Sequence, residues 1–223
     1  MINARNLVKT YKVGGAVITA VADVSLAVEK GETVSILGHS GSGKTTLLSI
    51  LGGLTKPDSG GVTIDSTDIL KIPDDELSHF RNRRINFIFQ FSSLIPTLTV
   101  LENVLLPTVF GEFSKDAGRY ALELLKMTGI DDKAEMYPSQ LSGGQQRRVA
   151  IARAFVNNPE IILADEPTGD LDEETEAEMM ALFGRMNEEK NITFVIVTHS
   201  TDIAAGCRKH YTMTRGVLSH WAR

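Results

Sequence analysis

The chain has 223 residues, 42% of them apolar and 23% charged, with a formal net charge of −5. This composition predicts one globular domain with a full core and excludes a disordered chain. It also argues against a nucleic-acid binder, which needs clustered Lys and Arg to meet phosphates.

In chain order, the N-terminal stretch "MINARNLVKTY" lacks the apolar core of a signal peptide. No uncharged apolar run approaches the roughly 20 residues of a membrane span, so membrane work is expected to need another chain as anchor. The first thirty residues alternate apolar and polar positions, predicting antiparallel strands. "TVSIL" then reads as a short strand leading through glycines into the helix-like "KTTLLSILGGL". Arg81, Arg83 and Arg84 read as a solvated helix end rather than a DNA patch. Residues 97–129 carry apolar spacings of three and four and predict a mostly helical insert. After Ser142 the pattern is helix to Pro159, strand "IILAD", helix "EETEAEMMALFGRMNEE", strand "TFVIVT", helix, and a last strand near "HYTMTRGVLSHW". Such alternation predicts a parallel, doubly wound α/β sheet with ligands at the carboxyl ends of its strands. The single cysteine, Cys207, is expected to be a small buried residue in a reducing compartment, which points to the cytosol.

The strongest chemical signal is Gly38-His39-Ser40-Gly41-Ser42-Gly43-Lys44-Thr45. The glycines let backbone N–H groups converge on a phosphate, Lys44 can reach β/γ oxygens, and the Thr45 hydroxyl can ligate Mg²⁺. At the end of "IILAD", Asp165 can hold Mg²⁺ through water and Glu166 can polarise an attacking water. Acids also favour helix N-termini, but capping alone does not explain a pair that coincides with a phosphate loop. "TFVIVT" delivers His199 to the same edge, where a lone His is as readily structural as functional. Ser142 and Gln145 form a capping-box pattern at a helix start. Gly143 and Gly144 cost that helix about 1 kcal/mol each relative to Ala, so close approach of a ligand is the better reason for them.

These motifs in this order resemble the ATP-binding cassette (ABC) ATPases over nearly the whole chain: Tyr11, the loop from Gly38 to Thr46, Gln90 after "INFIF", "LSGGQ", "IILADE", "GDLD" and His199. The resemblance implies a P-loop NTPase fold with a mainly parallel sheet core, an N-terminal antiparallel β subdomain and a helical subdomain at about 91–159, in one domain over 1–223. It implies that Tyr11 stacks on adenine, and that Gln90 joins Mg²⁺ and the attacking water to the surface facing a membrane partner. It further implies that Asp172 lies at a dimer seam and that His199 meets the γ-phosphate. Ser142, Gly143, Gly144 and Gln145 of one copy would close over ATP held by another, in a head-to-tail homodimer.

"LGGLTKPDSG", "NFIFQFSSLIPTLTVLENVLLP" and "ADEPTGDLD" look most like the lipoprotein-releasing and MacB-type export group. That likeness implies integral membrane permease partners and a place on the cytoplasmic face of the inner membrane. Asp170, Ser200 and Arg215 stand where that group commonly has Asn, Asp and Asp. Phe91, Leu94, Ile95 and Pro96 form an apolar stretch expected either to receive a short helix of the membrane subunit or to belong to the core. A P-loop kinase would need an acceptor pocket and gives no reason for "LSGGQ". The interval from Gly43 to Ser142 is too short for the long coiled coil of a DNA-repair ABC ATPase. A regulator of a cell-envelope enzyme, working through its own membrane partner, stays open.

Overall fold

The computed structural model describes residues 1–111, 116–169 and 171–221. Two long strands, β1 (Ile2–Val13) and β2 (Ala16–Val28), form an antiparallel hairpin; β3 (Thr33–Leu37) leads through the glycine loop into α1 (Lys44–Leu51). Next come β4 (Ser59–Ile64), β5 (Thr67–Asp68), α2 (Asp74–Arg84) and β6 (Ile85–Ile88). The helical stretch holds α3 (Val100–Leu105), α4 (Ala117–Met127) and α5 (Gly143–Phe155). β7 (Ile161–Asp165), α6 (Glu173–Lys190), β8 (Thr193–Thr198), α7 (Thr201–Ala205), β9 (Lys209–Thr214) and β10 (Val217–His220) complete the chain.

The strands make two sheets. The smaller is antiparallel, in the order β2-β1-β4-β5; the larger runs β10-β9-β3-β8-β7-β6 and is parallel apart from its β9–β10 edge. This is the expected α/β P-loop fold with its added antiparallel sheet. β7 and β8 are buried at every position, as parallel strands covered on both faces must be. Their side chains divide by parity. Ile162, Ala164, Phe194 and Ile196 join the helices in one core cluster, which also holds Val104, Leu124, Phe155 and Phe183. Ile161, Leu163, Val195 and Val197 join α1 and the antiparallel sheet in the other, with Leu7, Val21, Leu47 and Ile64. The period of two along each strand thus glues both flanking layers to one sheet.

Register then fixes the site. Leu37 pairs with Thr198, and Asp165 with Val197, so the segments after β3, β7 and β8 leave the sheet at one edge. Ile88 pairs with Ala164, which brings Gln90 to that edge as well.

Three expectations are corrected. The C-terminal segment is a hairpin of two strands, not one strand, because Arg215 and Gly216 both take positive φ (49° and 83°) and reverse the chain. α5 ends at Phe155, four residues before Pro159. Arg81, Arg83 and Arg84 do form a helix end, the last turn of α2, but Arg84 is not simply solvated there: it forks onto Glu160, with Nε 2.8 Å from Oε1, and also donates to Asp65. Cys207 is buried as expected, and burial pushes its thiol up to about 11.

Candidate active site

The loop between β3 and α1 needs glycine. Gly43 caps α1 with φ 106°, and a Cβ there would stand 2.0 Å from the Ala20 carbonyl oxygen. At Gly38 a Cβ would stand 2.5 Å from the Met213 carbonyl oxygen. The turn is thereby wedged between the two sheets, and its N–H groups precede a helix whose start carries partial positive charge.

Lys44 opens α1 and is buried, its Nζ donating to the carbonyls of Gly38 (2.6 Å) and His39 (3.2 Å). The same ammonium lies 4.0 Å from Glu166 Oε1. One residue on, Thr45 Oγ1 donates to Asp165 Oδ2 at 2.7 Å, joining α1 to the end of β7. Burial raises the Asp165 pKa; the Thr45 hydrogen bond opposes this, and the neighbouring Glu166 charge adds to it. Glu166 has φ 46°, and its N–H donates to the Val197 carbonyl. Its Oε2 accepts from Thr198 Oγ1 and its Oε1 lies 3.0 Å from His199 Nδ1.

These groups face a cleft of about 570 Å³. Tyr11, His39, Ser40, Gly41, Ser42, Gly43, Lys44, Thr45, Thr46, Gln90, Asp165, Glu166 and His199 all line it, and Gly38 lies beneath through its bond to Lys44. Ile18 and Ala20 of β2 line it too, and Thr198 orients Glu166. Sequence reasoning missed these three; only the polar end of the apolar run "TFVIVT" marks Thr198.

Ser142, Gly143, Gly144, Gln145 and Asp172 do not line the cleft. The capping box is present: Ser142 Oγ accepts from the Gln145 N–H at 3.3 Å, and Gln145 Oε1 accepts from the Ser142 N–H at 2.9 Å. Gly143 is exposed, and beyond the adjoining backbone of its own helix no atom lies within 4 Å of where its Cβ would be. Asp172 caps α6, accepting from the Thr175 N–H and hydroxyl, both at 2.9 Å, and these bonds lower its pKa. Ser200 caps α7 and Arg215 sits in the β9–β10 turn, whereas Asp170 lies outside the described residues.

The cleft suits a nucleotide and a hard cation. Ser42 Oγ is buried there without a partner, and the donors offered to a metal are oxygens: the Thr45 hydroxyl, Asp165 and the Gln90 amide. Among the described residues no group of three or more His, Cys, Asp or Glu could hold a metal alone. A Mg²⁺ ion would therefore complete its coordination with phosphate oxygens and water, its usual habit.

Residues 21–169 match the family described as ABC transporter. The chain belongs to the ABC transporter family. One relative of this ABC transporter chain is the ABC transporter ATP-binding protein MJ0796 of Methanocaldococcus jannaschii, 51% identical over 209 residues, which cover 92% of this chain and 89% of that one. The lipoprotein-releasing system ATP-binding protein LolD of Porphyromonas gingivalis is 46% identical over 219 residues, 98% of each chain. The macrolide export ATP-binding/permease protein MacB of Syntrophobacter fumaroxidans is 42% identical over 221 residues, 98% of this chain but 31% of that one. A solved dimer of MJ0796 in a post-hydrolysis state, bound to ADP and Pi, superposes over the full length of both chains with a TM-score of 0.93 at 44% identity. Among the described residues no helix is long and apolar enough to cross a membrane.

Proposed function

We propose that this chain is the ATP-binding and ATP-hydrolysing subunit of an ABC transporter of the lipoprotein-releasing or MacB-type export group, working as an ATP-dependent homodimer on the cytoplasmic face of the inner membrane. The observation that carries the reading is the convergence of Lys44, the Thr45–Asp165 pair and the Glu166–His199 pair on one cleft. The likeness to LolD and MacB over 98% of this chain supports the export group and integral membrane permease partners.

In this reading Tyr11 stacks on adenine, and residues 38–46 surround the phosphates through backbone N–H groups. Lys44 exchanges its two carbonyl partners for β/γ oxygens. Thr45, Asp165 and Gln90 hold Mg²⁺, which supplies charge neutralisation at the phosphates. Glu166, oriented by Thr198 and His199, takes a proton from the attacking water. His199 meets the γ-phosphate. Ser142, Gly143, Gly144 and Gln145 complete the site of a second copy, with Asp172 at the seam; the open space at Gly143 supports this. Phe91, Ile95 and Pro96 are exposed, whereas Leu94 packs on the core, so the first three form the face offered to a membrane subunit.

The test is copurification of the tagged chain from detergent-solubilised membranes, with partners identified by mass and phosphate release followed in the complex. A permease with large extracytoplasmic regions and ATP-dependent phosphate release are expected. An envelope hydrolase regulator as partner would replace the export reading, and phosphate appearing on an added small acceptor would replace the ATPase.

A further inference from the structure

α5 makes a second set of contacts that the cleft does not use. Arg147, only 1% exposed, donates through Nη1 and Nη2 to the carbonyls of Phe89 and Gln90. Six residues further on, Arg153 donates through Nη2 to the Ser92 carbonyl (2.8 Å) and through Nη1 to the Ser93 carbonyl (2.9 Å). Residues 89–93 have no regular secondary structure, yet four of their five carbonyls are held by two side chains of one helix.

A guanidinium is a planar fork of donors, so each arginine can bridge neighbouring carbonyls that an ammonium cannot span. Because the acceptors are backbone oxygens, the loop's side chains stay available. Gln90 lines the cleft while Phe91, 76% exposed, points to solvent. Arg153 is half-buried and burial lowers its pKa, so the carbonyl oxygens substitute for water around its charge.

We propose that Arg147 and Arg153 are positioning residues that bind the 89–93 backbone to α5, so that Gln90 enters the cleft only in the arrangement α5 imposes. The helix that starts at Ser142 and the loop carrying Gln90 then move as one body. The part concerning hydrolysis rests on the role proposed above for Gln90; the grip itself does not.

The test compares Arg153→Gln, Arg153→Lys, Arg147→Gln and Gln90→Ala in the full chain, by steady-state ATP hydrolysis and by backbone hydrogen exchange over 89–96. Arg153→Gln is expected to lower kcat about tenfold with KM changed less than about twofold, the signature of a lost transition-state arrangement. Exchange in 89–96 should rise at least about fivefold while β7 and β8 stay protected. Arg153→Lys should recover part of both losses. Unchanged loop exchange in Arg153→Gln, faster exchange across the whole chain, or wild-type kcat in Arg153→Gln when Gln90→Ala is impaired would each overturn the proposal. If Gln90→Ala hydrolyses ATP normally while Arg153→Gln loosens the loop, the grip stands and the role of Gln90 falls. Should the deeply buried Arg147→Gln fail to fold, the two Arg153 variants decide the matter, since that side chain is only half-buried.

Discussion

Glu166 Oε1 lies 3.0 Å from His199 Nδ1, while its Oε2 accepts a hydrogen bond from Thr198 Oγ1 at 2.9 Å. One oxygen is held by the last residue of β8 and the other by the residue that follows it, so the carboxylate is aimed from the edge of the sheet. A carboxylate fixed in this way is suited to general-base work, which contributes about 10²–10⁴-fold. Glu166→Gln keeps the shape and removes the base. Turnover should fall at least about 100-fold with ATP affinity within about threefold of wild type, and ATP should then hold the chain as a dimer in size-exclusion chromatography at low salt. A variant that stays monomeric with ATP would sink the composite-site reading.

Lys44 tests the other end of the cleft. Its ammonium is buried and satisfied by the Gly38 and His39 carbonyls; Lys44→Ala leaves the Gly38 carbonyl without this donor, while His39 keeps the Ser42 N–H, and it removes the positive charge proposed above to meet the phosphates. Titration with a fluorescent ATP analogue should show affinity down about 100-fold, equivalent to ~3 kcal/mol. Undiminished binding would contradict its assigned role.

Gly143 separates folding from assembly. A methyl group there meets nothing beyond the adjoining backbone of its own helix, and Ala in place of Gly favours a helix by up to about 1 kcal/mol. Gly143→Ala alone should melt at or slightly above the wild-type temperature. Combined with Glu166→Gln, it should abolish the ATP-dependent dimer. Dimers as abundant as those of Glu166→Gln would remove the Ser142–Gln145 segment from the interface.

Glu160 gives a pH dependence. Its hydrogen bonds to Arg84 lower its pKa below the usual 4.5. A depressed acid contributes stability that is fully present above the unfolded pKa and is lost as pH falls through the folded value. Glu160→Gln should therefore cost stability at pH 7, and the difference from wild type should vanish as pH drops below about 4.5 in urea unfolding curves. The side chain is 35% exposed, so solvent screening limits the cost to ~1 kcal/mol. A difference that persists at pH 3 would mean that packing, not charge, is what Glu160 supplies.

The local features of this protein were legible where one residue type had one physical use. The glycine loop, the Ser142–Gln145 capping box and the apolar runs of β7 and β8 all follow from such patterns. The C-terminal hairpin was missed because Arg215 adopts a left-handed turn that sequence expects of Asn or Asp. Sheet order was not legible, since β3 lies between β8 and β9, strands far from it in sequence. Nor was the grip of Arg147 and Arg153 on residues 89–93, because backbone carbonyls leave no mark in the sequence. Distance along the chain likewise hid the partnership of Thr45 with Asp165 until the register of β3, β8 and β7 joined them.

The backbone at Glu166 carries one more consequence. An L-residue with a Cβ at φ 46° sits about 1–2 kcal/mol above its relaxed conformation, and this one does so next to a buried Asp165 and a buried Lys44. A strained link of the polypeptide is thus the one that presents the carboxylate proposed as the base. Thermal endurance and reactivity are set against each other at a single torsion angle, and a sequence optimised only to resist heat would not keep a glutamate there.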